Sequence, residues 1–236
     1  MAYVPYARAY PEGLSPEQTA ALVASAARRC DALIVLVHWG TEYSHTPHPE
    51  DRDLAQRMVE AGALAVVGHH PHVLQPVERQ RTSTGRDTLV AFSLGNLIAN
   101  QAGEYVYGVG PETKSRRRDS MLLKLSLARP APDAPVEIVD SGILPVWIDN
   151  NHSVALRERE RKLRVQPVLI DEELETLTGQ LSSLSPEDKS RATRTKRREL
   201  ERRISLGQYR RDLIQRVTQP PAPEQGAGRR VGTRVD

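Results

Sequence analysis

Six of the seven histidines, His38, His45, His48, His69, His70 and His72, fall within residues 38–72. Imidazole is the commonest side-chain ligand for transition metals, so this crowding points to metal chemistry. His70-Pro71-His72 sets two imidazoles on either side of a proline, whose fixed φ limits the chain entropy lost when both ligate one ion. His38 is the expected third ligand, with Glu42, four residues on, either orienting an imidazole or touching substrate. His45 and His48, in the polar stretch 43–49, read as exposed loop histidines, and Trp39 as a residue packed at a sheet edge. Cys30 is the only cysteine, which excludes an intrachain disulfide and a thiolate metal cluster.

Two strands must carry these histidines. Ala32 to Val37 is a continuous, branched apolar run, as expected of a strand covered on both faces, and it stops at His38. Leu64 to Val67 is a second such run, followed by Gly68 and the His69–His72 group. Between them, Pro49 to Ala61 spaces Leu54, Met58 and Ala61 along one helical face, with Gly62 as a left-handed stop. Strand, helix and strand make a βαβ unit with parallel strands, so both histidine groups should emerge at the same carboxyl edge, where open α/β sheets place their sites.

The flanking segments follow from local signals. Ser15-Pro16-Glu17-Gln18 is a capping box that opens a helix to about Arg29. Residues 74–81 and 88–93 predict a hairpin, and 121–127, 136–139 and 144–148 three further strands. Residues 101–119, with four glycines or prolines and Arg116-Arg117-Arg118, read as a mobile loop. From about Glu172 to Val217 the chain is helical and charged, broken near Leu184-Ser185-Pro186, with Leu200, Ile204, Leu213 and Ile214 as a thin apolar stripe. This predicts a domain over 1–150, a charged helical extension over 151–217 and a disordered tail over 218–236.

Composition agrees with that division. The chain is only 39% hydrophobic, and its apolar residues crowd into positions 20 to 148, so an ordinary core belongs to the first two thirds. The basic pairs of the last third, among them Arg202-Arg203 and Arg210-Arg211, read as a solvated helix face. With Tyr209 the only aromatic interleaved, nucleic acid is not an expected partner. No apolar run is long enough to span a bilayer and no leader pattern opens the chain, which predicts a soluble, cytoplasmic protein.

Val37-His38-Trp39-Gly40-Thr41-Glu42-Tyr43, then Gly62, Gly68-His69-His70-Pro71-His72-Val73-Leu74-Gln75 and Phe92-Ser93-Leu94-Gly95-Asn96 stand in the order and rough spacing of the CapA family of capsule and poly-γ-glutamate synthesis. The resemblance covers about 135 residues, to Ile148, and implies an α/β fold: the C-terminal half of a layered sandwich like that of calcineurin-type metallophosphoesterases, followed here by the charged helices. It implies His38, His70 and His72 as ligands of a divalent metal (manganese, zinc or iron), His69 or Glu42 in proton transfer, and Asn96 and Glu42 facing substrate or orienting ligands. The family's Gly-Asp and Asn-Asn-His motifs, which supply a bridging carboxylate and an asparagine ligand, do not precede His38. Asn150-Asn151-His152 lies after the last expected strand and reads as a turn. The expectation is therefore a truncated or split member, tethered at the cell envelope if an N-terminal part is missing, or completed by a chain that supplies the N-terminal half. Its activity would be that of a metal-dependent phosphoesterase-like hydrolase acting on a phosphoester or an anionic polymer. The alternative is a non-catalytic module that binds metal or anionic polymer.

Overall fold

A computed structural model describes residues 13–106, 112–152 and 162–219. The tail expected from 218 lies, beyond Gln219, outside the described residues. Helix α1 (Pro16–Ala27) opens on the predicted box: Ser15 Oγ accepts from the Gln18 N–H at 3.2 Å, and Gln18 Oε1 accepts from the Ser15 N–H at 2.7 Å. Strand β1 (Ile34–His38), helix α2 (Pro49–Glu60) and strand β2 (Ala65–His69) form the expected βαβ unit, with β1 and β2 parallel and His38 in register with His69. Strands β3 (Val77–Arg81) and β4 (Asp87–Ala91) are the hairpin, and the first sheet runs in the order β1-β2-β4-β3. Only β3 is antiparallel to its neighbour.

Side chains alternate between two cores. Val35, Val37, Val66 and Val90 face α1 and α2, where Val23, Leu54, Met58 and Val59 are buried. Ala65, Leu89 and Ala91 face the other way, onto Met121 and Ile138 of the second sheet and onto Ile170 and Ile214. The period of two along a strand thus fills both sides of the first sheet, which sits in the middle of a layered α/β sandwich.

The second sheet, β5 (Asp119–Ala128), β6 (Glu137–Asn150) and β7 (Val165–Leu169), departs from the sequence reading. Residues 136–139 and 144–148, expected as separate strands, belong to the single strand β6. Pro145 does not break it, because β7 pairs only with Val146–Asn150, so at Pro145 β5 alone flanks the strand. Strand β7 was not foreseen, since it is short and Gln166 and Pro167 interrupt its apolar residues. An edge strand tolerates both, and it places the sheet across the division expected at residue 150.

In the segment expected as a mobile loop, residues 101–104 form a turn and a short helix, α3 (Glu112–Ser115), and a 3-10 turn (Arg116–Arg118) follow; residues 107–111 lie outside the described residues. Helices α4 (Ile170–Ser182) and α5 (Arg191–Thr218) lie beyond, the latter capped by Ser190 Oγ on the Thr193 N–H at 3.2 Å rather than starting at Pro186. The apolar stripe of α5 is buried at Leu200, Leu213 and Ile214. One residue of the expected solvated basic face is also buried: Arg210, 1% exposed, pairs with Glu112 and with Asp119 at 3.4 Å. An arginine enters the core only with such partners, and the charge pattern of α5 alone does not reveal them. No helix among the described residues is long and apolar enough to cross a membrane.

Candidate metal centre

The carboxyl edge of the first sheet is locked before it carries any chemistry. The Trp39 N–H donates to His69 O at 3.0 Å, continuing the β1–β2 ladder. The Trp39 indole donates to Phe92 O at 2.8 Å and stacks on the Phe92 ring at 5.7 Å, so Trp39 lies wholly inside the core rather than at its margin. Gly68 makes room for this contact, since a Cβ there would sit 2.0 Å from Phe92 O and 2.3 Å from Trp39 Nε1.

Past this edge the chain turns sharply. Gly40 takes φ +84° and Tyr43 φ +64°, which folds the segment back so that the Tyr43 N–H donates to Pro71 O at 2.7 Å. His70 and His72 also have positive φ, 105° and 59°. Among the described residues, three of the four non-glycine positive-φ positions, Tyr43, His70 and His72, meet at this one point. Backbone strain of this kind costs about 1–3 kcal/mol per residue and persists where the surroundings impose it, commonly at functional sites.

The turn brings Glu42, His70 and His72 together, each with a ligand atom within 4.8 Å of the others. Glu42 is exposed and the two histidines are half-buried, so the group opens to solvent. His38 contacts His70, ring centroid to ring centroid at 4.6 Å, but is not in the three-residue set. His72 Nδ1 lies 2.8 Å from Asn96 Oδ1. The Asn96 amide nitrogen faces the carbonyls of His72 at 3.1 Å and Arg117 at 3.0 Å, which only accept, so the amide oxygen must face His72. The proton therefore sits on Nδ1, and Nε2 remains the basic nitrogen, the one that could ligate a metal.

His69 ends β2, where burial, helped by nearby His38, holds its pKa below the usual imidazole value. His45 is half-buried rather than exposed, its Nδ1 2.8 Å from Leu74 O; burial lowers its pKa against that hydrogen bond. His48 is exposed and caps α2. The turn expected at Asn150-Asn151-His152 is instead the end of β6: Asn150 pairs with Val165, and Asn151 accepts from the Arg164 N–H at 2.6 Å and donates to Lys162 O at 2.9 Å across to the neighbouring segment. The structure thus joins Glu42, His70, His72 and Asn96, with His38 and His69 at the margin. Placing Glu42 beside the ligands needed the left-handed turn at Gly40, for which the glycine was the only sequence signal.

A cleft of about 420 Å³ lies elsewhere, between the second sheet and α4 and α5, lined by Arg118, Trp147, Arg164, Arg203 and Arg210. Its arginines are engaged internally: Arg118 with backbone carbonyls, Arg164 with Asp149, Arg203 with Glu173 and Arg210 with Asp119. The histidine edge, not this cleft, carries the convergent ligand chemistry.

Residues 2–101 match the family model for the bacterial capsule synthesis protein PGA_cap. Through that stretch the chain is similar to the CapA family. It is similar to the PGA biosynthesis protein CapA of Bacillus subtilis, 32% identical over 139 residues, which is 57% of this chain and 32% of that protein. It is also similar to the capsule biosynthesis protein CapA of Bacillus anthracis, 42% identical over 71 residues, or 30% of this chain and 16% of that one. The chain thus spans about a third or less of the length of these CapA relatives. Every residue of the histidine edge, from His38 to Asn96, falls inside the stretch matched by the family model, whereas the second sheet and the charged helices fall outside that stretch.

Proposed function

We propose that this CapA-like chain is a metal-dependent, phosphoesterase-like hydrolase acting in the synthesis or anchoring of an anionic capsule polymer. The observation that carries the reading is the convergence of Glu42, His70 and His72, with the His72 tautomer held by Asn96. One carboxylate and two imidazoles are a donor set suited to zinc, manganese or iron. Glu42, His70 and His72 would hold the ion, with His38 near enough to His70 to join or orient it. A bound divalent metal supplies Lewis acidity toward a phosphoryl oxygen and lowers the pKa of water. Asn96 keeps the ligating nitrogen of His72 turned to the site. His69, with its pKa depressed by burial, is neutral at physiological pH and suited to accept a proton. The open position of the group suits a chain-like substrate, which a closed pocket would exclude.

The test combines elemental analysis with hydrolysis of bis(p-nitrophenyl) phosphate in manganese, for the parent, His70→Ala and Glu42→Gln. The expected result is stoichiometric metal and turnover in the parent, with both lost in His70→Ala. Metal without turnover would replace the hydrolase by a non-catalytic binding module, and a parent without metal would remove the reading altogether.

A further inference from the structure

We infer that Arg117 is the oxyanion-recognition residue of this site, placed to grip a phosphoryl or carboxylate group of the substrate beside His72. The inference deepens the hydrolase reading and rests on it for the identity of the neighbouring ligands. Its own support is separate. The guanidinium of Arg117 lies over the Tyr43 ring, its carbon 3.9 Å from the ring centroid, and the Tyr43 ring lies 6.1 Å from that of His72. The backbone of Arg117 is tied to the same site, because its carbonyl accepts from the Asn96 amide that orients His72.

The turn carrying Arg117 is rigid for a reason legible in its neighbour. Arg118 is buried and donates to Ala102 O at 2.8 Å and Tyr105 O at 3.3 Å, which anchors the 3-10 turn from below and leaves Arg117 directed to the histidine edge. Tyr43 is equally constrained, by its left-handed φ and its bond to Pro71 O. Stacking uses the face of a guanidinium and leaves the in-plane N–H fork available, the geometry that receives two oxygens of one anion. Among the described residues no carboxylate forms an ion pair with Arg117. In this it differs from Arg164, Arg203 and Arg210, each of which has an acidic partner. Arg116, in the same turn, is close enough to act electrostatically on His45, adding positive potential at the rim.

The experiment titrates the full chain with inorganic phosphate and, separately, with free glutamate at constant ionic strength, following the arginine Nε–H resonances by NMR. Parent, Arg117→Gln, Arg117→Lys and Tyr43→Leu are compared, with manganese content and thermal midpoint measured for each. The expected result is a dissociation constant raised at least about tenfold in Arg117→Gln and less in Arg117→Lys, which keeps the charge but loses the fork. Manganese content and midpoint should stay at parent values in both. Preference for phosphate or for glutamate in the parent identifies which oxyanion the site takes. Unchanged affinity in Arg117→Gln, or no binding of either anion by the parent, would overturn the inference even if metal and turnover are present. Arg117-dependent binding in a chain that holds no metal would sustain it while the hydrolase reading fell.

Discussion

At Asn96 a single amide sets the state of its neighbours: its oxygen fixes the protonated nitrogen of His72, and its nitrogen ties down two backbone carbonyls. Asn96→Ala should therefore lower metal affinity by about 10–100-fold, the usual effect of losing a partner that orients a ligating histidine. Equilibrium dialysis against manganese measures this, and the far-ultraviolet circular dichroism should stay at the parent level. Gly68 acts through space it leaves empty. Gly68→Ala must push Phe92 or Trp39 aside and break their hydrogen bond, at a cost of about 3 kcal/mol that the urea midpoint should register. A folded variant of unchanged midpoint would show that the β2–β4 edge is more yielding than this packing implies.

Among the elements, α5 and β5 are joined by a buried charge. Burial lifts the Asp119 carboxyl to about 7 against the opposing pull of Arg210, which pairs with it. The folded protein thus holds this proton more tightly than the unfolded chain does. Asp119 contributes stability that is fully present below the ordinary carboxylate pKa, about 4, and is lost as pH rises through about 7. Relative to Asp119→Asn, the parent should be more stable at about pH 4.5 than at about pH 7.5, a difference that urea unfolding of both proteins at the two pH values resolves. Equal pH profiles would mean that Arg210 keeps Asp119 ionised throughout. The contact also explains why a helix of mostly exposed basic residues settles on the body: Arg210, Leu213 and Ile214 bury together, whereas the pair of Arg203 with Glu173 is exposed and contributes little.

For the whole molecule, the core on the second face of the first sheet is completed only by late residues. Ile170 and Ile214 are 2% and 0% exposed and pack with Leu64, Leu74, Leu89 and Met121. Full burial of such side chains stabilises by about 2–3 kcal/mol each. A chain ended after residue 152 loses them together with β7, and it should bind a hydrophobic dye and unfold without a sharp transition. Cooperative unfolding of that shortened chain, comparable to the parent, would show that the segment matching the CapA family sustains its own core.

The sequence by itself determined the local units: the capping box at Ser15, the βαβ unit, the hairpin, the helix breaks, and the gathering of His38, His69, His70 and His72 at one carboxyl edge. These follow from periodicity and turn residues, whose causes lie within a few positions along the chain. The resemblance to the CapA family was legible for a related reason, since its motifs sit at the strand ends where parallel pairing brings them together. Only the tertiary structure decided the rest. Glu42 joins His70 and His72 because a left-handed turn and a bond to Pro71 reverse the chain. Strand β7 exists because β6 offers it an edge, and Arg210 is buried because Asp119 and Glu112, about a hundred residues away, receive its charge. In each case the deciding partner is a backbone or side-chain polar group distant along the chain, and such groups carry no periodic signal that announces whom they will meet.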